Sequence, residues 1–282
     1  MPLWAWLLVS AIAVLLLGAL FYWTFVITEG AYLGARVVAW TYDLAAGKYD
    51  QIKQFNPQDD AWLLAAPMIN YLREVNGPLV LDVATGTGRM PLALLNHSRF
   101  QGHVLGLDLS FKMLRQARSK LREHGGRYTL LCHDAQDLPF PDETFDAVSC
   151  LEALEFMPAP QRVLDEIARV LRPGGVFLVT NRVNWERKLM PGKAFDDDTI
   201  RAMLTRAGLT KVTIRPWQVY YDLLWARKSG QASRLGRATQ PLGQILRCAQ
   251  DAHAPLEEGS DALRCPSCGQ AYPVRDGILR MD

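Results

Sequence analysis

Apolar and polar positions follow three different rhythms along this chain. From Pro2 to Thr28 no side chain is charged, and positions 3–27 are almost unbroken Leu, Val, Ile, Ala, Trp and Phe. As a helix rising about 1.5 Å per residue, that run is about 37 Å long, enough to cross a hydrocarbon core of roughly 30 Å. Trp4, Trp6, Tyr22 and Trp23 stand toward its two ends, where amphipathic rings favour a membrane interface. A cleaved signal peptide would want a basic start, a shorter apolar stretch and a small-residue cleavage site; a buried soluble helix would need a large protein around it. The pattern favours a transmembrane anchor over 1–28.

From position 77 the rhythm shortens. Apolar runs predict strands at 79–82, 103–107, 128–132, 145–150 and 176–180, with helical spacing at 90–96, 111–121 and 161–171. Strand and helix in alternation read as a parallel sheet with helices on both faces. A helix near 198–207 and strands at 211–215 and 218–226 add an antiparallel hairpin, giving a seven-stranded, doubly wound, Rossmann-like α/β domain over 77–228. Ahead of it, 29–76 carries a helix over 31–46, lying along the membrane surface or simply packing, and a second over 57–75. That second helix stops at Asn76-Gly77-Pro78.

The third rhythm is polar. Positions 229–244, rich in Gly, Ser, Gln and Arg, read as a linker, and 245–282 carries Cys265-x-x-Cys268 with Cys248 upstream. One pair of thiols at that spacing is a knuckle of a zinc ribbon; the fourth ligand is Asp251 or the nearby His253. A metal-free ribbon held by its own small core is the alternative.

Charge narrows the partners. The 282 residues carry a formal net charge of +2 with 21% charged side chains, so no basic excess points to nucleic acid. No Lys or Arg precedes the apolar run, while Arg36, Lys48 and Lys53 follow it. The positive-inside rule therefore puts the bulk of a single-pass protein on the cytoplasmic side. Cys132 and Cys150 fall in predicted strands, where reduced thiols are ordinary.

The chemistry centres on LVLDVATGTGRMP at 79–91: strand, tight turn, helix. Small residues there let the backbone approach a ligand, and the helix start offers unpaired N–H groups. A dinucleotide fingerprint, G-x-G-x-x-G, fails because Pro91 takes the third glycine's place. Instead the stretch resembles the first motif of class I S-adenosylmethionine-dependent methyltransferases, with Ala84 for its first glycine. Asp108 ends the next strand 20 residues past Gly88, where a carboxylate can accept from both ribose hydroxyls. The runs Asp134 to Asp146 and EIARVLRPGG extend the resemblance, which covers about 42–228. It implies S-adenosylmethionine as methyl donor, with Asp82, Ala84, Thr85, Gly86 and Gly88 at the methionine end, Asp108 and Leu109 at the ribose, Asp134 and Ala135 at the adenine, and Cys150 beside the pocket. It also implies that the segment of Tyr42-Asp43 and Tyr49-Asp50 caps that pocket, although aromatics so near a core are more often packing.

Glu152-Ala153-Leu154-Glu155-Phe156 resembles the E-x-L-E-H of quinone and other small-molecule methyltransferases. Phe156 replaces the histidine, which removes an obvious base or metal ligand, so the catalytic residue stays unknown, with Glu155 and then Glu152 as weak candidates. Ser149-Cys150-Leu151-Glu152 lacks the Asn/Asp-Pro-Pro-Tyr of amino-nitrogen enzymes, which disfavours nucleic-acid substrates. The tail's YPVRDGI resembles Trm112-like ribbon proteins, some of which partner methyltransferases. Together these point to a membrane-anchored methyltransferase acting on a small lipophilic acceptor, quinone- or lipid-like. The rivals are a protein or RNA methyltransferase targeted by its ribbon, with a protein partner there, a cofactor-binding pseudoenzyme or adaptor, and a nucleotide-binding protein of another sort.

Overall fold

The computed structural model describes residues 2–281; positions 1 and 282, the outer ends of the anchor and ribbon segments, lie outside the described residues. Helix α1 (Leu3–Tyr22) runs on through a wider turn at Trp23–Ile27, and the 25 residues together are long and apolar enough to cross a membrane. Its side chains face outward, with almost none buried in the protein. Short helices follow: α2 (Ala35–Ala45), α3 (Tyr49–Lys53), α4 (Pro57–Asp60) and, beyond a wide turn, α5 (Ala66–Tyr71).

The central strands are β1 (Leu79–Val83), β2 (His103–Asp108), β3 (Tyr128–Cys132), β4 (Phe145–Cys150) and β5 (Leu171–Arg182). They stand parallel in the order β5-β4-β1-β2-β3. Every residue of β1 and β4 is buried, as continuous apolar runs must be when helices cover both faces. The connecting helices are α6 (Arg89–Leu95), α7 (Phe111–Leu121) and α8 (Pro160–Val170), with α9 (Asn184–Arg187) and α10 (Asp197–Arg206) beyond. Ser110 caps α7 by accepting from Met113 N at 3.2 Å, and Pro160 starts α8, where its missing N–H costs nothing. β5 starts earlier than the predicted 176–180, because Leu171 pairs with Phe145 before the register shifts across the Pro-Gly-Gly turn.

β6 (Leu209–Gln218) and β7 (Tyr221–Lys228) close one edge as an antiparallel hairpin. The predicted break near 216–217 is wrong: the turn is at Val219-Tyr220. Pro216 sits inside β6, an edge strand whose register shifts there, and where a missing N–H does not break a ladder.

The other edge is not free. After two residues of β8 (Glu257–Glu258), β9 (Ala262–Arg264), β10 (Ala271–Arg275) and β11 (Ile278–Arg280) form antiparallel pairs, and β11 runs parallel beside β3. The ribbon thus extends the seven-stranded sheet to eleven strands. Ile245, Leu246, Leu256, Leu263, Tyr272, Leu279 and Met281 belong to the same buried cluster as β1, β4 and α8. Nor does the linker hang loose. Asn76 N donates to Arg234 O at 2.8 Å, Gly236 N to Asn76 O at 2.9 Å, and Arg172 holds Leu235 O at 2.9 Å. The strand crosses so closely over Gly174 that a Cβ there would lie 2.3 Å from Ala232 N.

Candidate functional site

Strand order reverses at β1, with β2 on one side and β4 on the other, and a cleft of about 730 Å³, counted to its open mouth, lies beyond the carboxyl ends of these strands. That is where open α/β sheets bind ligands. Of the ten residues expected around a cofactor, Ala84, Gly86, Asp108, Leu109, Asp134 and Ala135 line this cleft. Asp82 and Thr85 line a smaller adjoining cleft of about 370 Å³ that shares Tyr49, Ala84, Gly86, Leu151 and Glu152.

The carboxylates are held by local geometry. Asp108 Oδ2 accepts from Gly86 N and Oδ1 from Ser110 N, both at 2.8 Å. Burial pushes its carboxyl up to about 6 against those hydrogen bonds. Each oxygen accepts one of these bonds and has capacity for another, which fits a pair of ribose hydroxyls. Asp82 lies deeper, accepting from Ser149 Oγ at 2.6 Å and Thr85 Oγ1 at 2.7 Å, and burial raises it to about 7. Asp134 accepts from Gln136 N at 2.9 Å and Gln136 Nε2 at 3.1 Å.

Two expected residues do not reach the wall. Cys150 is fully buried in the core; burial, with Asp82 and Glu155 adding to it, raises its thiol well above the ordinary value. Gly88 caps α6 at φ 83°, and a Cβ there would lie 3.1 Å from Ala117 Cβ on α7, so the two helices approach closely at this glycine. Gly86 has open space at the same position. Gly88→Ala is expected to cost about 1–3 kcal/mol, read as a lower urea midpoint, with affinity for S-adenosylhomocysteine unchanged. Unchanged stability with weakened binding would return Gly88 to the cofactor wall.

The Tyr-Asp pairs divide their work. Tyr42 and Tyr49 line the cleft, together with Ala35, Val38 and Ala39 of α2. Their acids tie down the roof: Ser110 Oγ donates to Asp43 Oδ1 at 2.5 Å, while Thr87 Oγ1 and Lys120 Nζ reach Asp50 at 2.6 and 2.8 Å. Burial raises both phenols above their ordinary range. Sequence reasoning missed Arg89, which bridges Asp60 at 2.6 Å and Glu152 at 2.7 Å between the rings of Phe55 and Trp217. Its place directly after the Gly-rich turn was the available signal.

Neither weak catalytic candidate is free. Glu155 is buried away from the cleft, accepting from Tyr221 Oη at 2.5 Å with Arg182 at 3.9 Å, and burial raises its carboxyl. Glu152 lines the cleft, but Lys53 and Arg89 hold its two oxygens. Ala153, Phe156, Met157 and Pro158 make an apolar stretch of the cleft wall, the surface that a lipophilic acceptor would meet. His133, also on the wall, has its ring nitrogens 2.9 Å from Met281 O and 2.9 Å from Asp137 O, so it bridges the ribbon and the loop that follows Asp134.

In the ribbon, ligand atoms of Cys248, Asp251, Cys265 and Cys268 lie within 4.8 Å of one another. Cys248 Sγ to Cys268 Sγ is 3.6 Å, as is Cys265 Sγ to each Asp251 oxygen. A tetrahedron with Zn–S bonds of about 2.3 Å has edges of about 3.8 Å, so the four fit zinc. His253 supplies only backbone contacts, from N to Asp251 and from O to Cys248 N, and its ring is not in the group.

Residues 81–179 match the Methyltransferase domain family, and 241–277 match the Trm112p-like protein family. Similar proteins include a phosphatidylethanolamine N-methyltransferase of Cereibacter sphaeroides, 42% identical over 107 residues, 37% of this chain and 51% of that protein. Another is the ubiquinone/menaquinone biosynthesis C-methyltransferase UbiE of Bordetella avium, 34% identical over 157 residues, 56% of this chain and 61% of that protein. The chain thus spans about half to three fifths of the length of these relatives. Among solved structures, the [4+2]-cyclase SpnF shares the fold, with a TM-score of 0.59 at 20% identity over 70% of this chain and 98% of that one. This chain therefore carries a methyltransferase domain of Rossmann-like fold over residues 81–179, continued at its C-terminal side by a Trm112p-like ribbon.

Proposed function

We propose that this chain is an S-adenosylmethionine-dependent methyltransferase, anchored by α1 with its catalytic domain on the cytoplasmic side, acting on a small lipophilic acceptor. The observation that carries the reading is the convergence of Asp108 and Asp134, from the ends of neighbouring strands, on one cleft floored by the Ala84–Gly86 turn. Asp108 takes the ribose hydroxyls, Asp134 and the Ala135 amide the adenine, and Asp82, Thr85 and Gly86 the methionine end. When bound, the sulfonium supplies an activated methyl group, its carbon–sulfur electron pair passing to sulfur as the acceptor's lone pair takes the carbon. What remains for the protein is to align the acceptor and exclude water.

Among the described residues, every titratable side chain on the cleft wall is committed in this reading: Asp108 and Asp134 to the cofactor, Glu152 to two cations, His133 to two carbonyls, and the tyrosines held neutral by burial. Such a wall suits an acceptor that brings its own nucleophile, an amine or an acidic ring carbon or hydroxyl. The relatives named for an ethanolamine lipid and for quinones agree with that class. Cys248, Asp251, Cys265 and Cys268 hold a structural zinc in this reading, fixing the ribbon against β3.

The test has two parts. Calorimetry with S-adenosylhomocysteine is expected to give saturable one-site binding, and labelled donor with native membrane extract is expected to label an extractable lipid. Binding without any labelled product means a pseudoenzyme; label in protein or RNA means the ribbon-targeted alternative. Elemental analysis is expected to find one zinc per chain, lost in Cys265→Ser.

A further inference from the structure

The base of α1 is fastened to the catalytic domain. Trp23 Nε1 donates to Leu189 O at 3.0 Å, Tyr32 Oη donates to Pro191 O at 2.8 Å, and the two rings stack at 5.1 Å. Ala31, beside them, shares a buried cluster with Val38 of α2, Phe156, Met190 and Ala194. The turn that follows the apolar helix therefore shares a buried cluster with Phe156, on the apolar stretch of the cleft wall taken as the acceptor end.

Around that foot the surface is unusually apolar. On one side, Trp185 and the β6–β7 turn are joined by the Asn184 side chain to Val219 O and by Val183 N to Tyr220 O at 2.9 Å; Trp185, Val219 and Tyr220 are all exposed, Val219 by 71%. On the other, α2 packs on the turn below α1, where Thr41 Oγ1 donates to Glu29 O at 3.3 Å. Its inner face lines the cleft, while Trp40 and Leu44, one turn apart on its outer face, are 55% and 65% exposed. Exposed Arg36 and Lys188 flank the two groups. Exposed indole and aliphatic side chains beside cations suit the boundary between acyl chains and anionic headgroups.

We propose that these two groups form a docking collar that seats the catalytic domain on the lipid surface, so that the acceptor end of the cleft opens into the headgroup layer. The occupant is the bilayer, because both groups are continuous with the foot of an apolar helix long enough to span it. This rests on the anchoring in the proposed function, and the experiment separates the two.

The full chain is inserted into phosphatidylcholine–phosphatidylglycerol nanodiscs with p-benzoyl-phenylalanine at one position at a time, irradiated, and analysed by mass. Position Leu15 reports the anchor. Positions Trp40, Trp185 and Val219 report the collar, and exposed Leu235, at the opposite end of the sheet, is the control. The collar predicts a mass increase of one phospholipid at Leu15 and at all three collar positions, with none at Leu235. Lipid at Leu15 alone leaves the anchor standing and overturns the collar. Adducts between two chains at the collar overturn it in favour of a protein interface. No lipid at any position overturns both anchor and collar.

Discussion

Ending the chain at Gln240 is expected to leave protein that melts at least about 10 °C lower and no longer binds S-adenosylhomocysteine measurably. The ribbon contributes seven large apolar side chains, Ile245 to Met281, to the cluster that also holds β1 and β4. At about 1.5–3 kcal/mol for each buried side chain, their gross contribution rivals the about 5–15 kcal/mol by which a typical domain is stable. A loss of about 5 kcal/mol corresponds to about 10–20 °C for a domain of this size. Truncation also strips β3 of β11, one of its two parallel neighbours, removes Met281 O from His133, and frees Pro139 O and Asp137 from Arg247. All of these bear on the loop that carries Asp134. Scanning fluorimetry and calorimetry of the full and shortened chains in the same detergent decide it. A shortened chain with unchanged melting and affinity would make the ribbon a detachable module.

Asp108→Asn is expected to weaken S-adenosylhomocysteine binding about 30- to 150-fold, the equivalent of about 2–3 kcal/mol for hydrogen bonds to a charged group. The carboxamide keeps one acceptor oxygen and presents an NH2 where Gly86 N or Ser110 N already donates. The same carboxyl sets a pH dependence. Because its value is about 6 in the cofactor-free fold, affinity falls as pH drops through 6 and the acceptor is protonated. Stability of the free protein runs the other way. A folded value raised above the unfolded 3.8 means that the fold holds its proton more tightly, so stability declines as pH rises from about 4 to 6. Asp82, at about 7, extends that decline. The melting increment given by S-adenosylhomocysteine should therefore grow from pH 5 to pH 7 in the parent and flatten in Asp108→Asn. An increment independent of pH in the parent would remove Asp108 from the ribose.

The five parallel strands and their helices were legible because each carries a local signature: an apolar run for β1, a Ser110 cap for α7, a Pro-Gly-Gly stop after α8. The place of Asp108 and Asp134 on the cleft wall is legible for the same reason, because each stands at or just past the end of a strand. What was not legible depends on partners far away in the chain. Nothing near Ile278 says that it will lie beside Leu130, so the ribbon read as separate. Nothing beside Glu155 announces that Tyr221, 66 positions on, donates to it. Gly88 and Gly86 are alike in sequence, and what faces each, Ala117 against open space, is set by the distant packing of α7. The break read at 216–217 falls at Pro216, where an edge strand tolerates the missing N–H and carries on.

The parallel pairing of β11 with β3 has a cost during synthesis. Ile278 follows Cys132 by 146 positions (278 − 132). At about 5–20 residues per second, a ribosome needs about 7–30 s to supply the strand that covers this edge. Throughout that interval the nascent domain presents a ready-made apolar edge, open to pairing with any neighbouring chain, so shielding by chaperones should matter more to its yield than to that of a sheet closed by adjacent strands.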